Sequence, residues 1–208
     1  MSPIITISGF SGVGKSTLLQ TLHSYGAVVE ILSHTTRHQR SGKDDRRIFV
    51  SEEEFQKMQD ENRFCQIVTY DNNRYGLEWA QIQAVLDSGA TPILDVAEGG
   101  VQQIRNANMA PVVSAFLTAS PSQLLRRLLQ RSDPDPTIVR RRLEQTLDEA
   151  LRVNSGTFHY VFRNDDVDVT ANKIIRILQG HAVESDPFDE ESFVFEMKKS
   201  IRELKEEI

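Results

Sequence analysis

Cysteine and long apolar runs are scarce in this chain, and positive charges are fewer than negative ones. Each shortage excludes a class of protein or of site. Cys65 is the only cysteine among 208 residues, which excludes an intramolecular disulfide framework and a multi-cysteine metal site. The Cys65 side chain is predicted to be a small buried hydrophobic group. No apolar run approaches membrane-spanning length, and the first residues resemble a strand rather than a signal segment. The net charge of −6 argues against a nucleic-acid-binding surface. We therefore expect a soluble, cytoplasmic protein, monomeric or homodimeric, without membrane or nucleic-acid partners.

The chain does contain a regular alternation of strand-like and helical segments. The predicted strands cover residues 4–8, 27–32, 64–70, 91–96, 112–117 and 160–163. The predicted helices cover residues 15–24, 78–86, 120–130, 137–153 and 169–178, and another helix opens at the capping box of Ser51 and Glu54. This alternation is typical of a mainly parallel sheet covered by helices on both faces.

The pattern changes character in two places, which mark the predicted domain organisation. Residues 33–88 are predicted to form an insertion, so that residues 1–32 and 89–180 form the core, with a proline-broken lid at residues 131–137. Residues 181–208 form an acidic linker and an amphipathic helix. We expect this helix to fold back onto the domain; contact with a second copy or a partner is the alternative.

The segment GFSGVGKST at residues 9–17 has the G-x-x-x-x-G-K-S form of a phosphate-binding loop between a strand and a helix. Glycines allow successive backbone N–H groups to turn towards phosphates, and the helix start adds its positive dipole end. Lys15 is expected to reach the terminal phosphates and Ser16 to bind Mg²⁺. The residues expected to bind the nucleoside triphosphate are Gly9, Ser11, Gly12, Val13, Gly14, Lys15, Ser16 and Thr17.

A basic segment, SHTTRHQRSGKDDRR, occupies residues 33–47 of this acidic protein. Its cations would repel one another unless an anion lies among them. A phosphate fits, because the planar guanidinium of arginine binds phosphate oxygens through two hydrogen bonds at once. Such a run in isolation is better interpreted as a solvated loop, but together with a phosphate-binding loop it indicates a second phosphate site.

These motifs and several others, in the same order, resemble the guanylate kinase family over roughly residues 3–179. The other matching motifs are S-x-T-T-R-x-x-R-x-G at 33–42, F-V-S-x-x-x-F at 49–55, Tyr75-Gly76, ILDV at 93–96, Arg131, Arg142 and NDD at 164–166. The resemblance implies a P-loop NTPase-type α/β fold with a parallel sheet flanked by helices, an inserted acceptor-binding subdomain and a lid.

The resemblance also implies roles for single residues on the acceptor side. Arg37 and Arg40 match the pair that grips the acceptor monophosphate, assisted by the hydroxyl of Tyr75. Asp95 matches an acidic residue near the reacting phosphates.

On the donor side, Lys15 and Ser16 match residues that bind ATP and magnesium, and Asn164 matches the position that contacts adenine. Arg131 and Arg142 match lid arginines that swing over the transferring phosphoryl group. The resemblance thus implies catalytic roles for Lys15, Arg37, Asp95, Arg131 and Arg142.

The chain departs from the family pattern where the acceptor base is recognised. Family members have a glutamate at the position of Gln66 and an aspartate at that of Ala97, both of which accept hydrogen bonds from guanine. They have a serine or threonine at the position of Leu77, so Ser33 is the one base-edge residue retained. A site built to hydrogen-bond a group rejects analogues lacking it, so these changes predict altered base selectivity.

Two further departures add positive charge, since Lys43 replaces a glutamate and Arg47 replaces a phosphate-gripping tyrosine. They indicate either a more anionic acceptor, such as a sugar bisphosphate, or simple replacement of the lost tyrosine. Gln66 both donates and accepts hydrogen bonds, so adenine, cytosine and uracil-type bases all stay open.

The sequence therefore predicts an ATP- and Mg²⁺-dependent nucleoside-monophosphate kinase that phosphorylates a (deoxy)nucleoside monophosphate with altered base specificity. The alternatives are a conventional GMP/dGMP kinase, a sugar-phosphate kinase, a non-catalytic guanylate-kinase-like binding module, and an ATPase or GTPase switch. Retention of the donor-side residues favours catalysis over the binding module; these are Lys15, Ser16, Asp95, Arg131 and Arg142.

Overall fold

The computed structural model describes residues 2–39, 46–70, 72–130 and 135–206 of the chain. Strands β1 to β9 cover Ile4–Gly9, Val29–Glu30, His34–Thr35, Ile48–Phe49, Phe64–Tyr70, Asn73–Glu78, Pro92–Asp95, Val112–Thr118 and Tyr160–Arg163. Helices α1 to α8 cover Lys15–Ser24, Glu52–Asp60, Trp79–Asp87, Glu98–Ala107, Pro121–Leu129, Pro136–Ala150, Val167–Leu178 and Glu190–Glu206. A parallel sheet flanked by helices confirms the predicted α/β class.

One compact unit consists of Met1–Thr6 and Gly26–Val113. Its part of the parallel sheet has the strand order β2, β7, β1, with Val29 of β2 opposite Pro92 of β7. A second sheet in this unit has the order β4, β3, β6, β5, and its strands all come from the predicted insertion. Within it β5 and β6 form an antiparallel pair that brings Gln66 opposite Leu77.

The other compact unit consists of Ile7–Tyr25 and Ser114–Ile208. Its strand order is β1, β8, β9, and the last two are parallel. Helix α1 packs against α7, while α8 packs against α5 and α6. The apolar side chains of α8 are buried at Phe193, Met197, Ile201 and Leu204. The prediction that the C-terminal helix folds back onto the domain is therefore confirmed.

Helix α4 is not predicted by the sequence. It begins at Glu98 and includes Gly99 and Gly100, which have low intrinsic helix propensity. Its apolar residues Val101 and Ile104 are fully buried, and α4 packs against β5. Burial of this face compensates for the poor local propensity, which is why the local pattern does not reveal the helix.

Other boundaries differ by smaller amounts. Strand β6 covers Asn73–Glu78, whereas the sequence predicts no strand between residue 70 and the helix predicted from residue 78. Strand β2 is shorter than predicted, and α6 covers Pro136–Ala150 rather than residues 137–153. The functional division into core, insertion and lid stays a prediction, and residues 131–134 of the lid lie outside the described ranges.

Cys65 is buried, as expected for a small hydrophobe, with 3% of its surface exposed. Burial in this apolar site raises the pKa of its thiol to about 12. The thiol is therefore protonated at neutral pH and unreactive as a nucleophile.

Candidate active site

The phosphate-binding loop lies between the end of β1 at Gly9 and the start of α1 at Lys15. Gly14 is the N-cap of α1 with φ +100°, a conformation that side chains with a Cβ rarely adopt. A Cβ at Gly9 would lie 2.7 Å from the carbonyl oxygen of Leu117, so this position needs glycine for a close approach to β8. The first turn of α1 has no acidic residue and no side-chain cap, which leaves a helix N-terminus suited to phosphate.

The polar side chains of the loop lie on or near the surface of the protein. Lys15 Nζ donates to the carbonyl oxygen of Gly9 over 2.7 Å, so its ammonium group lies over the loop. Ser16 and Thr17 are exposed in the first turn of α1, and Ser11 and Gly12 are partly exposed. An exposed hydroxyl directly after this lysine fits Mg²⁺, which prefers oxygen ligands and keeps most of its ligands from water and phosphate.

Two side chains from outside the loop hold Val13, which is fully buried. Arg127 Nη1 and Asn164 Nδ2 each donate to the Val13 carbonyl oxygen over 2.9 Å. Arg127 Nη2 also donates to the carbonyl oxygen of Asn164 over 3.1 Å. The phosphate loop is thereby fixed to α5 and to the end of β9.

Arg127 is a site residue that sequence reasoning missed. No local pattern separates it from the exposed Arg126 beside it, because its partners Val13 and Asn164 are distant in the sequence. Asn164, in contrast, is predicted to contact adenine; the structure buries it to 3% exposure with its amide on the loop. Its adenine contact stays a prediction.

The other predicted catalytic residues lie in different parts of the chain. Arg142 is partly exposed on α6, in the same compact unit as Lys15. Asp95 belongs to the first unit and is exposed. It is the last residue of β7, near the end of the strand predicted for residues 91–96. Arg131 lies outside the described residues.

Neighbouring strands of the first unit carry the predicted acceptor-phosphate residues. Arg37 follows β3, and its backbone N–H donates to Thr35 Oγ1 over 3.2 Å. Thr35 is paired with Tyr75 of β6, and the guanidinium of Arg47 lies 5.6 Å from the Tyr75 ring centroid. Arg47 and Tyr75 are therefore brought together, as a shared phosphate site requires. Arg40 and Lys43 lie outside the described residues.

The predicted base-recognition positions also meet in the first unit. Gln66 Nε2 donates to the Ala97 carbonyl oxygen over 3.4 Å, and Gln66 Oε1 accepts from the Ala97 N–H over 3.3 Å. Leu77 lies opposite Gln66 in the strand pair and is buried. Ser33 precedes β3, where its carbonyl oxygen accepts from Ile48 N–H. The side chain of Gln66 thus already bonds to the protein at the N-cap of α4.

Two buried polar side chains, those of His34 on β3 and Glu78 on β6, lie close together, and Glu78 also binds the exposed Arg63. His34 Nε2 is 3.8 Å from Glu78 Oε2, and Arg63 Nη2 is 2.5 Å from Glu78 Oε1. Burial lowers the pKa of His34, Glu78 opposes that shift and Arg63 adds to it. The imidazole is therefore held in its neutral form at neutral pH.

In the described part of the chain, no group of three or more His, Cys, Asp and Glu side chains could hold a metal ion. None of the helices in this part combines the length and apolar character needed to cross a membrane.

Several known proteins are similar to this chain. The family profile described as guanylate kinase matches residues 1–181. The guanylate kinase of Mycoplasma genitalium is 32% identical over 180 residues, covering 84% of this chain and 74% of that protein. That of Yersinia pestis is 34% identical over 180 residues, covering 83% and 85%. The crystal structure of guanylate kinase from Anaplasma phagocytophilum has a TM-score of 0.66 at 25% identity, covering 86% of this chain and 85% of that one.

Proposed function

The chain belongs to the guanylate kinase family and is a nucleoside-monophosphate kinase, and from this premise we propose that it transfers the γ-phosphoryl group of ATP to GMP and dGMP. The observation that carries the proposal is the intact phosphate-binding loop, with Lys15 over it and Ser16 exposed at the helix start. The names of the relatives support GMP as the acceptor.

Phosphoryl transfer requires little covalent chemistry from the protein, so positioning and charge neutralisation dominate. In this proposal the loop N–H groups and Lys15 hold the ATP phosphates, while Arg127 and Asn164 keep the loop in shape through Val13. Mg²⁺, when bound, neutralises phosphate charge, and the Ser16 hydroxyl would be its protein ligand.

The acceptor monophosphate would be held by Arg37, Arg47 and Tyr75, together with Arg40 and Lys43. The observed packing of Arg47 on the Tyr75 ring supports the view that Arg47 replaces the tyrosine found in the family. A conventional monophosphate acceptor then explains the basic segment, and a bisphosphate is not needed. Asp95, Arg131 and Arg142 are assigned to the reacting phosphates by the family resemblance.

One observation favours a second candidate function, the same kinase with altered base specificity. The Gln66 amide engages both the N–H and the carbonyl group of Ala97. A glutamate at position 66 could not donate to that carbonyl oxygen. Because the base-recognition carboxylates are missing at both positions and Leu77 is apolar, discrimination for guanine would be weaker in this chain.

The proposed function is tested by incubating the purified protein with Mg-ATP and GMP, dGMP, AMP, CMP, UMP or dTMP, while ADP and the phosphorylated product are both measured. We expect kcat/KM for GMP or dGMP to exceed that of the other acceptors by about tenfold or more. The Lys15→Ala variant is the control for contaminating kinase and should lose at least about a hundredfold in rate.

Other outcomes identify the alternatives. Preference for another base would support altered specificity, and the double substitution Gln66→Glu, Ala97→Asp should then move preference towards GMP. ADP formation independent of any acceptor would indicate an ATPase. Turnover with a sugar phosphate alone would indicate a sugar-phosphate kinase. Absence of turnover with every acceptor would indicate a binding module and overturn the proposal.

A further inference from the structure

Residues 182–206 lie beyond the part of the chain that the family profile matches, which ends at residue 181. They nevertheless contact the donor half of the site. The contact is made through Phe10, the second residue of the phosphate-binding loop, whose side chain is fully buried.

Phe10 lies in a cluster of four aromatic rings. Its ring stacks on that of Phe193 from α8, with centroids 4.8 Å apart and ring planes at 20°. Phe188, in the segment before α8, lies 6.0 Å from Phe10 and 5.2 Å from Phe193. Phe116 of β8 closes the cluster with an edge-to-face contact at 5.0 Å. Aromatic pairs of this geometry contribute stability beyond the burial of their surface.

The backbone of Phe10 transmits this anchoring to the loop. Its N–H donates to the Leu117 carbonyl oxygen over 3.3 Å, and its carbonyl oxygen accepts from the Val13 N–H over 3.1 Å. Val13 is the residue whose carbonyl group is held by Arg127 and Asn164. A displacement of the Phe10 ring would therefore alter the path of the loop that surrounds the phosphates.

The segment before α8 is itself fixed to the second unit. The N–H of Asp186 donates to the Val161 carbonyl oxygen over 2.8 Å, and Asp186 Oδ2 accepts from the Arg163 N–H over 2.9 Å. Asp186 Oδ1 forms an ion pair with Lys173 at 2.6 Å. These bonds lie along β9 and hold the chain where it turns towards Phe188.

Helix α8 then packs on α5 and α6. The first of these carries Arg127, and the two helices flank the predicted lid residues 131–134. The C-terminal segment thus supports the donor site in two ways, through the phosphate loop at Phe10 and through the helix that carries Arg127.

We propose that Phe193 is a positioning residue for ATP, and that residues 185–204 act as a brace that holds the phosphate-binding loop in its ATP-binding conformation. This inference rests on the proposed use of ATP as phosphoryl donor. The acceptor residues belong to the other compact unit, so the brace acts on ATP affinity and leaves the affinity for the acceptor unchanged.

The test measures ATP affinity directly, by calorimetric titration with Mg-ATP in the absence of any acceptor, for the full chain and four α8 variants. Phe193→Ala removes the stacked ring and should weaken ATP binding by about tenfold, because small displacements of positioning groups are costly. Phe193→Leu keeps most of the apolar volume and should recover more than half of that loss.

Two matched controls separate positioning from general loosening of α8. Phe195, two residues away on the same helix, is 73% exposed, so Phe195→Ala should bind ATP within about twofold of the parent chain. Met197 is fully buried one turn beyond Phe193 but adds no ring to the cluster; Met197→Ala should lower the melting temperature yet keep ATP affinity within about twofold.

Steady-state kinetics supply the second readout. For Phe193→Ala, the KM for ATP should rise while the KM for the nucleoside monophosphate stays within about twofold of the parent value. Unchanged ATP affinity in both Phe193 variants, or an equal loss in Met197→Ala, would overturn the brace. Failure of the proposed kinase function would be recognised separately, as ATP binding by the parent chain without transfer to any acceptor.

Discussion

The carbonyl oxygen of Val13 shows how single residues maintain the donor site. It accepts from Arg127 and from Asn164, and Arg127 binds Asn164 as well. A hydrogen bond that involves a charged group contributes about 1.5–3 kcal/mol. Loss of Arg127 would leave the Val13 carbonyl with one of these two donors and would remove the side-chain donor to the Asn164 carbonyl oxygen.

We therefore predict that Arg127→Ala weakens ATP binding by about tenfold or more, because the loop loses the charged bond to Val13 and Asn164 loses the second bond from the same guanidinium. Arg127→Lys should recover only part of the affinity, since an ammonium group cannot reproduce the fork geometry. The neighbouring exposed Arg126 provides the control: Arg126→Ala should match the parent chain in the same titration. Equal affinities for Arg126→Ala and Arg127→Ala would contradict the role given to Arg127.

On the acceptor side, Arg37 allows a complementary prediction. Arg37→Ala should raise the KM for the nucleoside monophosphate by at least about tenfold while the KM for ATP changes little, because a phosphate-binding guanidinium is lost from the acceptor site alone. Steady-state kinetics with each substrate varied in turn measure both values. Arg176→Ala, an exposed arginine on α7, serves as the charge-matched control. A rise confined to the KM for ATP would refute the assignment.

At the scale of elements, α2 is defined by its own sequence. Ser51 Oγ accepts from the Glu54 N–H over 3.1 Å, and Glu54 Oε2 accepts from the Ser51 N–H over 2.9 Å, which forms the predicted capping box. Phe55 and Met58 are the buried residues of this helix. Its start is therefore set locally, and its position depends on that short apolar face.

Ser51→Ala should lower the free energy of unfolding by about 1 kcal/mol, since one N-terminal N–H loses its cap. In a domain of this size such a loss lowers the melting temperature by about 2–4 °C. Ser51→Thr, which keeps the hydroxyl, should lose less than half as much. Adding Glu54→Ala to Ser51→Ala should cost less than the sum of the two single changes, because both act on one motif. Strict additivity would argue against reciprocal capping.

At the scale of the whole molecule, the buried pair of His34 and Glu78 links stability to pH. Burial lowers the pKa of His34 below its ordinary value of 6.5, and this shift outweighs the opposing attraction of Glu78. The unfolded chain then binds a proton at a higher pH than the folded chain. The contribution of neutral His34 to stability is thus fully present above pH 6.5 and is lost as the pH falls below that value, through the lower pKa of the folded chain.

Urea unfolding between about pH 8 and about pH 5 should therefore show a smaller loss of stability at low pH for His34→Gln than for the parent chain. His181 is exposed, so His181→Gln should follow the parent curve. Parallel curves for the parent chain and His34→Gln would show that His34 does not contribute to the pH dependence.

The sequence by itself determined the features that are encoded within a few residues. The phosphate-binding loop, the capping box at Ser51, the bounds of β9 and the proline start of α5 all depend on neighbouring residues, whose backbone preferences and hydrogen bonds are local. The order of these motifs was also sufficient to identify the family.

Only the tertiary structure decided how distant segments meet. The bond from Arg127 to Val13 joins residues 114 positions apart, and that from Gln66 to Ala97 joins residues 31 apart. The stacking of Phe193 on Phe10 and the burial that stabilises α4 are likewise absent from any local pattern. Such contacts depend on packing between segments remote in sequence, which short-range periodicity does not encode.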